Sequence, residues 1–316
     1  MNPRVQLHVD TEDVHTKQPD YFAQFDITIA TELDFTTYTM INAACRLANR
    51  PFYAAGLHGF YGFVFSDLIS HDFAIEREKS NAPSVTQETP TRSILNIATK
   101  VENEKVIEMV TKREVYSPFL LANTSPLPED LTRLPRRRRQ VTPLLTCLRA
   151  LWEFQKLPHN NTKANTNDPQ NNSNRLPTLT SRQDLELFTK LARDCHHELK
   201  LDIATLDSTF LRTFLENLGC ELSPVAAFVG GSLAQDVINV LSAREQPLQN
   251  LLLFDGEKSV APIYSLHPFF PPEVENAIPG SGAAGVGGSI PVHPGPAAAN
   301  KTSSSNAGAV DPMQVT

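Results

Sequence analysis

The amino-acid sequence predicts an α/β fold in which helices cover a parallel sheet. Residues 25–30 (FDITIA) form an apolar run rich in β-branched side chains, which is typical of a strand buried on both faces. Residues 36–49 carry apolar side chains at helical spacing, and residues 51–55 (PFYAA) have the composition of a second strand. A strand, a helix and a strand in this order predict a βαβ unit, whose two strands are parallel.

Further strands are predicted on both sides of this unit. Val5, Leu7 and Val9 alternate with polar residues, as in a half-buried strand. The aromatic stretch at residues 59–67 (GFYGFVFSD) and the mixed β-branched and charged stretch at residues 94–116 also indicate strands. A polar segment rich in helix and strand breakers precedes the second stretch, so we expect a loop there.

Three helices are predicted in the second half of the chain. Residues 143–154 are apolar enough for a buried helix. Residues 181–199 begin with the Ser-x-x-Asp spacing of a capping box and carry one apolar face. Residues 207–218 carry a stripe of Phe and Leu and precede Gly219, a typical helix stop.

Two adjacent glycines interrupt the apolar run at residues 223–255 (SPVAAFVGGSLAQDVINVLSAREQPLQNLLLFD). Glycine inside a helix costs about 0.5–1 kcal/mol relative to alanine. Gly230 and Gly231 could therefore end a strand or first turn and open a helix at Ser232. Alternatively, they let another backbone approach closely, which explains why both residues are glycine. Residues 251–254 and 260–265 then predict two strands joined by a tight Asp-Gly turn.

Composition divides the chain into four parts. Residues 1–79 and 206–267 have the alternating strands and helices of one α/β fold, and residues 80–205 are interpreted as an insertion between them. Within the insertion, the asparagine-rich stretch at residues 158–177 is predicted to be a disordered loop. Residues 268–316 are rich in Pro, Gly, Ala and Ser and are predicted to be a disordered tail.

Charge and cysteine content limit the classes of function. The net charge of −7 and a pI of about 5.7 argue against a nucleic-acid binder. Four cysteines without a CxxC pair fit a reducing compartment and indicate no structural zinc site. The first residues lack a signal-peptide pattern, and no uninterrupted apolar run is long enough for a membrane span. We therefore expect a protein of the nucleus and cytoplasm with no membrane partner.

Three groups of polar residues are candidate sites. Arg136, Arg137, Arg138 and Arg139 form the strongest charge run, which is either a solvated linker face or a surface for nuclear import or an acidic partner. The run at residues 194–198 (DCHHE) resembles a metal site, but adjacent helical residues diverge by about 100°, so we expect a structural role. Cys220 is followed by an acidic residue, which opposes thiolate formation. We assign no catalytic residue and no metal ligand.

Three segments together carry a resemblance to a known family. They are residues 2–14 (NPRVQLHVDTEDV), residues 51–68 (PFYAAGLHGFYGFVFSDL) and the glycine-pair segment with its FDG ending. In this order they resemble enzymes that activate ubiquitin-like modifiers, which have a Rossmann-like, ThiF-type adenylation fold. Among these, the chain is most similar to the small subunits of SUMO-activating enzymes, which lack the catalytic cysteine. The resemblance runs from residue 2 to about residue 267.

The resemblance implies a function within a heterodimer. In that family the larger, cysteine-bearing subunit holds ATP and magnesium, adenylates the C-terminus of SUMO and then carries it as a thioester. The small subunit completes the fold and binds no cofactor alone. Gly230, Gly231 and Gln235 would then lie in a close helix–helix or subunit contact, so we expect a larger residue at Gly231 to overpack that contact.

The sequence also departs from the family pattern. The family begins with a strand and a glycine-rich turn, whereas this chain begins at what resembles the third strand. The only GxGxxG spacing, at Gly280, Gly282 and Gly285, lies in the tail without a strand before it. We therefore expect an N-terminally incomplete fold that contacts ATP only through its partner. The alternatives are an equivalent subunit or fragment of another modifier-activating enzyme, a sulfur-carrier adenylyltransferase, and an inactive interaction protein.

Overall fold

Strands and helices succeed one another largely as the sequence predicts. The computed structural model describes residues 4–78, 86–102, 105–157 and 175–268. The helices are α1 (Pro19–Phe22), α2 (Phe35–Leu47), α3 (Phe119–Thr124), α4 (Glu129–Thr132), α5 (Pro135–Arg138), α6 (Pro143–Lys156), α7 (Arg182–Glu198), α8 (Ser208–Asn217) and α9 (Ser223–Ser242). The strands are β1 (Thr28–Thr31), β2 (Phe52–His58), β3 (Tyr61–Asp67), β4 (Ser70–Glu78), β5 (Arg92–Glu102), β6 (Lys105–Val115), β7 (Leu251–Asp255) and β8 (Ile263–Tyr264).

The main sheet is mixed, so the α/β class is confirmed while the prediction of a parallel sheet holds only for its first pair. Its strand order is β1-β2-β3-β7-β8, and β1 with β2 is the parallel pair that the βαβ pattern predicts. The other pairs are antiparallel. The physical reason is the short connection between β2 and β3, because only Gly59 and Phe60 separate the paired residues His58 and Tyr61. A connection of two residues can join only antiparallel strands.

A second sheet contains β4, β6 and β5 and is antiparallel throughout. Opposite charges face one another across its strands. Arg113 donates to Asp72 at 2.6 Å, and Arg77 donates to Glu108 at 2.9 Å. Such directly opposed pairs favour one register over its neighbours. The predicted strand region at residues 94–116 is therefore confirmed as a hairpin.

Two hydrophobic cores lie on opposite faces of the main sheet. Side chains alternate along a strand, so Phe52 and Ala54 enter the first core while Tyr53 and Ala55 enter the second. The first core is covered by α2, α6, α7 and α8 and contains an aromatic cluster around Phe119 and Trp152, whose ring centroids are 5.0 Å apart. The second core lies under α9. Because both faces are covered, β2 and β3 are apolar along almost their whole length.

Part of the segment that we interpret as an insertion belongs to the first core. Buried residues of α6 and α7, among them Trp152 and Phe188, pack with buried residues of β2 and β3. The described residues 116–157 and 175–205 are therefore not packed as a separate unit, although the domain boundaries themselves stay a prediction. Residues 158–174 of the loop predicted at residues 158–177, the tail from residue 269 and the tail glycines lie outside the described residues.

The predicted first strand is wrong. Val5, Leu7 and Val9 are exposed, and the residues around them form no strand. An alternating segment becomes a strand only beside a partner strand, and none of the strands in the described ranges lies next to it. β1 likewise has one neighbour, β2, and only its Ala30 is buried. The prediction that β1 is buried on both faces is therefore also wrong.

We expect Gly59→Ala to lower the free energy of unfolding by about 1–3 kcal/mol. Gly59 has φ +60°, and an added Cβ would lie 1.9 Å from the Asn217 amide oxygen. Urea denaturation measures the loss. The double variant Gly59→Ala/Asn217→Ala should recover the loss of stability that comes from the clash with Asn217. It should not recover the loss that comes from the positive φ of the backbone. A single variant as stable as the wild type would contradict this account of the turn.

Candidate subunit interface

Helix α9 is one continuous helix through the glycine pair. It begins at Ser223 with Pro224 in its first turn, where a missing N–H costs no helical hydrogen bond. It ends where Ala243 adopts a left-handed conformation with φ 51°. The interpretation that the two glycines open a helix at Ser232 is therefore wrong, because the helix begins nine residues earlier.

The inner face of α9 packs against β2 and β3. Its buried apolar residues recur at spacings of four and seven positions and belong to the second core; they are Val225, Val229, Leu233 and Val240. Phe228, at the border of this face, stacks on Phe254 with ring centroids 4.2 Å apart. At about 1.5–3 kcal/mol for each fully buried large side chain, this face holds the helix firmly on the sheet.

Asp236 is the one ionisable residue of α9 and points inward. Its carboxylate accepts a hydrogen bond of 2.7 Å from the Tyr53 hydroxyl and another of 2.7 Å from the Leu248 backbone N–H. Burial raises the pKa of Asp236, and burial together with the nearby carboxylate raises that of Tyr53. A misrotated helix would leave this carboxyl group buried without its partners, so the two bonds determine the rotation of α9 about its axis.

The outer face of α9 is exposed and carries no charge. We define it by Ala227, Gly231, Ala234, Ile238 and Leu241, which recur at alternating spacings of four and three residues. This is the spacing of a seam between two helices. Ile238 and Leu241 are 59% and 67% exposed, which is unusual for large apolar residues placed on one stripe. A helix that is apolar all round is normally buried, so the composition of α9 is itself a sequence signal for this surface.

By length and mean hydropathy (1.3), α9 could by itself cross a membrane, contrary to the sequence-based expectation that no segment is long enough. Its inner face, however, is packed on the sheet and holds the hydrogen-bonded Asp236 carboxyl group. Insertion into lipid would break both arrangements, at a cost of several kcal/mol. We therefore interpret the outer face as a surface for another protein chain.

The glycine pair contacts nothing else in the described part of the chain. Gly230 and Gly231 are exposed, and no atom outside the local helix lies within 4 Å of the position that a Cβ would take at either residue. Within the described residues, the glycine pair therefore makes no close helix–helix contact, and its predicted alternative, a subunit contact, stays a prediction. Gln235 is also exposed and donates to the Asn239 side chain at 2.9 Å. A contact of these three residues with a second chain stays a prediction.

The arginine run lies on the surface around the short helix α5. Arg136, Arg137 and Arg139 are exposed and Arg138 is half-buried. Among the residues that the structure describes, no carboxylate lies within ion-pair distance of any of the four. The structure therefore places them on an exposed, positively charged surface, consistent with either of the two interpretations made from the sequence.

Cys147 of α6 and Cys195 and His196 of α7 are buried, whereas His197 is exposed. Burial raises the pKa of the Cys195 thiol to about 11 and that of Cys147 further, which keeps both protonated at neutral pH. His196 is buried rather than solvated, with its ring nitrogens 2.9 Å from the Thr146 hydroxyl and 3.0 Å from the Asp202 carbonyl. Within the described ranges, no cluster of His, Cys, Asp and Glu could hold a metal ion. Cys220 is exposed.

The turn between β1 and α2 does not fit a nucleotide phosphate. In α/β folds a phosphate binds the free N–H groups at a helix N-terminus that follows a strand. Here the Asp34 carboxylate already accepts from the N–H groups of Thr36 and Thr37, at 2.8 and 3.1 Å. Glu32, which precedes this turn, accepts from the Leu57 N–H at 2.8 Å and so faces β2. A phosphate at the helix N-terminus would meet the Asp34 carboxylate and occupied donors.

The fold and the outer face of α9 together define an α/β protein with an uncharged surface suited to a second chain. Residues 1–268 match the ThiF family. The chain belongs to the ThiF family, which confirms the resemblance carried by the three sequence segments.

Named relatives cover most of the chain. DNA damage tolerance protein RHC31 of Saccharomyces cerevisiae is 30% identical over 274 residues, which is 84% of this chain and 71% of the relative. DNA damage tolerance protein rad31 of Schizosaccharomyces pombe is 29% identical over 84% of this chain and 69% of the relative. SUMO-activating enzyme subunit 1 of Homo sapiens is 26% identical over 85% of this chain and 70% of the relative.

Replacing the glycines should stabilise the isolated chain. We expect Gly230→Ala and Gly231→Ala each to raise the free energy of unfolding by about 0.5–1 kcal/mol, because alanine lowers the entropy cost of helix formation and meets no atom here. Urea denaturation measures the change, with Gly59→Ala as the destabilised comparison. A loss of stability at either position would mean that the glycine pair is packed within the chain after all.

Asp236 should make stability depend on pH in a defined direction. Because burial raises its pKa in the folded chain above the unfolded value, the folded chain holds more protons than the unfolded chain at pH values between the two. The stability of the wild type relative to Asp236→Asn should therefore fall from the unfolded pKa, near 3.9, up to the raised folded pKa. Thermal unfolding over a pH series measures this difference.

A control of opposite sign is available for that measurement. Arg113 lowers the pKa of Asp72, so the wild type should gain stability relative to Asp72→Asn as pH rises through the corresponding window. A pH-independent difference between the wild type and Asp236→Asn would contradict the burial of a raised-pKa carboxyl group in the second core.

Proposed function

We propose that the chain is the non-catalytic subunit of a heterodimeric SUMO-activating enzyme. It supports adenylation of the SUMO C-terminus and formation of the thioester on a larger, cysteine-bearing subunit. The observation that carries the proposal is the match of residues 1–268 to the ThiF family, together with relatives named SUMO-activating enzyme subunit 1 that align with most of the chain.

The outer face of α9 is our candidate contact with the larger subunit. Its heptad-like spacing suits a facing helix, and the lack of charge suits a surface that is dehydrated on binding. The first half of the face carries only Ala and Gly, so a partner backbone can approach closely there. The second half offers Ile238 and Leu241 for burial. In this arrangement the glycine pair matters for the complex rather than for the chain alone.

ATP and magnesium belong to the larger subunit in this proposal. The β1–α2 turn supports the assignment, since the Asp34 carboxylate lies at the helix N-terminus where a nucleotide phosphate would have to lie. The chain contributes structure and contact area, while the other subunit holds the reacting groups. We propose that the enzyme works in the nucleus and cytoplasm, without nucleic-acid or membrane partners.

Charge on the outer face should abolish assembly. We expect Ile238→Glu/Leu241→Glu to lose co-purification with the larger subunit, because two carboxylates would be buried without partners. Both side chains are exposed in the isolated chain, so its own unfolding should change little. Leu47→Glu is the matched control, since Leu47 is 83% exposed on α2. Equal recovery of the double variant and the control would rule out α9 as the interface.

Activity is tested on the reconstituted pair. The chain mixed with a larger, cysteine-bearing subunit should catalyse ATP–pyrophosphate exchange that depends on SUMO and should form a thioester on that subunit. Neither subunit alone should do so. Exchange with another ubiquitin-like modifier in place of SUMO would favour the equivalent subunit of that pathway, and charging of a modifier by the isolated chain would overturn the proposal.

A further inference from the structure

Three cations from distant parts of the sequence line one surface depression. Arg138 and Arg139 come from the end of α5, and Lys200 comes from the turn that follows α7. Pro135, Leu201 and Asp202 complete the lining of a depression of about 260 Å³, which we name the basic depression. The arginine run by itself does not point to Lys200, because sixty residues separate Lys200 from Arg139 in the sequence.

Two of the four arginines, Arg138 and Arg139, line this depression. Neighbouring helical residues point about 100° apart, so four consecutive arginines cannot converge on one ligand. Arg136 and Arg137 do not line the depression, and Arg137 donates instead to the Asp130 carbonyl. The backbone N–H groups of Arg138 and Arg139 bond to Leu134 and Pro135 at 3.1 and 3.2 Å. The backbone of these two arginines is therefore held in place by hydrogen bonds.

Lys200 is held at the other side of the depression. Its backbone is left-handed, with φ 55°, and its N–H donates to the His197 carbonyl at 2.9 Å. The next residue, Leu201, donates to the His196 carbonyl at 3.2 Å. The turn is thus bonded to the last residues of α7, and α7 is packed in the first core. The two sides of the depression are both anchored.

Within the described residues, the lining of the depression has more positive than negative charges. No carboxylate there lies within ion-pair distance of Arg138, Arg139 or Lys200. Asp202 also lines the depression, and its carboxylate accepts from the Ala204 backbone N–H and caps the short helical turn that follows. Three cations and one carboxylate leave an excess of positive charge, which would attract an anion.

We propose that the basic depression binds an acidic segment of a partner polypeptide. The guanidinium group of arginine binds a carboxylate through two parallel hydrogen bonds, and Lys200 adds a third donor group beside the two arginines. Pro135 and Leu201 offer apolar walls for the stems of acidic side chains. The depression is a compact group of three cations without an aromatic lining residue, unlike the extended basic and aromatic surfaces that bind single-stranded nucleic acid. The net charge of −7 also opposes nucleic acid at long range.

The test uses the full chain and a fluorescein-labelled hexaglutamate peptide, with binding followed by fluorescence anisotropy. We expect Arg138→Gln/Arg139→Gln to weaken binding at least about tenfold and Lys200→Gln about threefold or more. The matched control is Arg136→Gln/Arg137→Gln, which removes the same charge from the same run and should change binding less than about twofold. Binding to the wild type should weaken as salt is raised.

Several results would overturn the proposal. Equal losses in the two double variants, or no effect of Lys200→Gln, would show that only the net charge of the arginine run matters. Tighter binding of a labelled single-stranded oligonucleotide of equal charge would assign the surface to nucleic acid. Absence of saturable peptide binding would remove the site. The substituted side chains are exposed or half-buried, and Lys200→Gln tests the site independently if the double variant is unstable.

Discussion

The two hydrogen bonds of the buried Asp236 carboxyl group determine which side of α9 faces the solvent. Tyr53 belongs to a central strand, and Leu248 belongs to the segment that leads into β7, so the bonds join the helix to two parts of the sheet. The exposure of the residues on the outer face follows from this rotation. If the helix turned by one residue, about 100°, Asp236 would lose its partners and Ile238 would leave the exposed stripe.

The central strands make this arrangement possible because they serve two cores. Phe63 and Phe65 face the aromatic cluster below the sheet, while Val64 between them faces α9. The aromatic side needs bulky residues to fill the space under α6 and α7. The α9 side combines small and aliphatic residues such as Ala55 and Val64 with Tyr53, whose hydroxyl bonds to the helix. The sheet is therefore filled on both faces before any partner binds.

Two exposed surfaces of the molecule would bind partners through different kinds of interaction. The outer face of α9 has no charge, and its contribution to binding would come from removing apolar area from water. The basic depression has three cations, and its contribution would come from paired hydrogen bonds and Coulomb attraction that salt weakens. The outer face of α9 therefore suits a subunit that stays bound. The basic depression suits a segment that is recognised by its acidic side chains.

The glycine pair shows why a sequence pattern needs a structure for its interpretation. Two interior glycines in an apolar helix indicate a close contact, but the pattern does not say whether the contact lies within the chain or beyond it. The described residues leave the glycines open to solvent. The same distinction applies to α9 as a whole, whose apolar outer stripe would be ordinary in a core and is informative on a surface.

The sequence by itself determined the positions of α2, α6, α7 and α8, the βαβ unit, the β5–β6 hairpin region and the family. These depend on local periodicity, on capping residues such as Ser181, and on motifs whose residues are each contiguous in the sequence. Only the tertiary structure decided that the sheet is mixed, that Val5, Leu7 and Val9 form no strand, and that Lys200 lies beside Arg138 and Arg139. The reason is that strand pairing and helix rotation depend on partners far away in the sequence, about which local spacing carries no information.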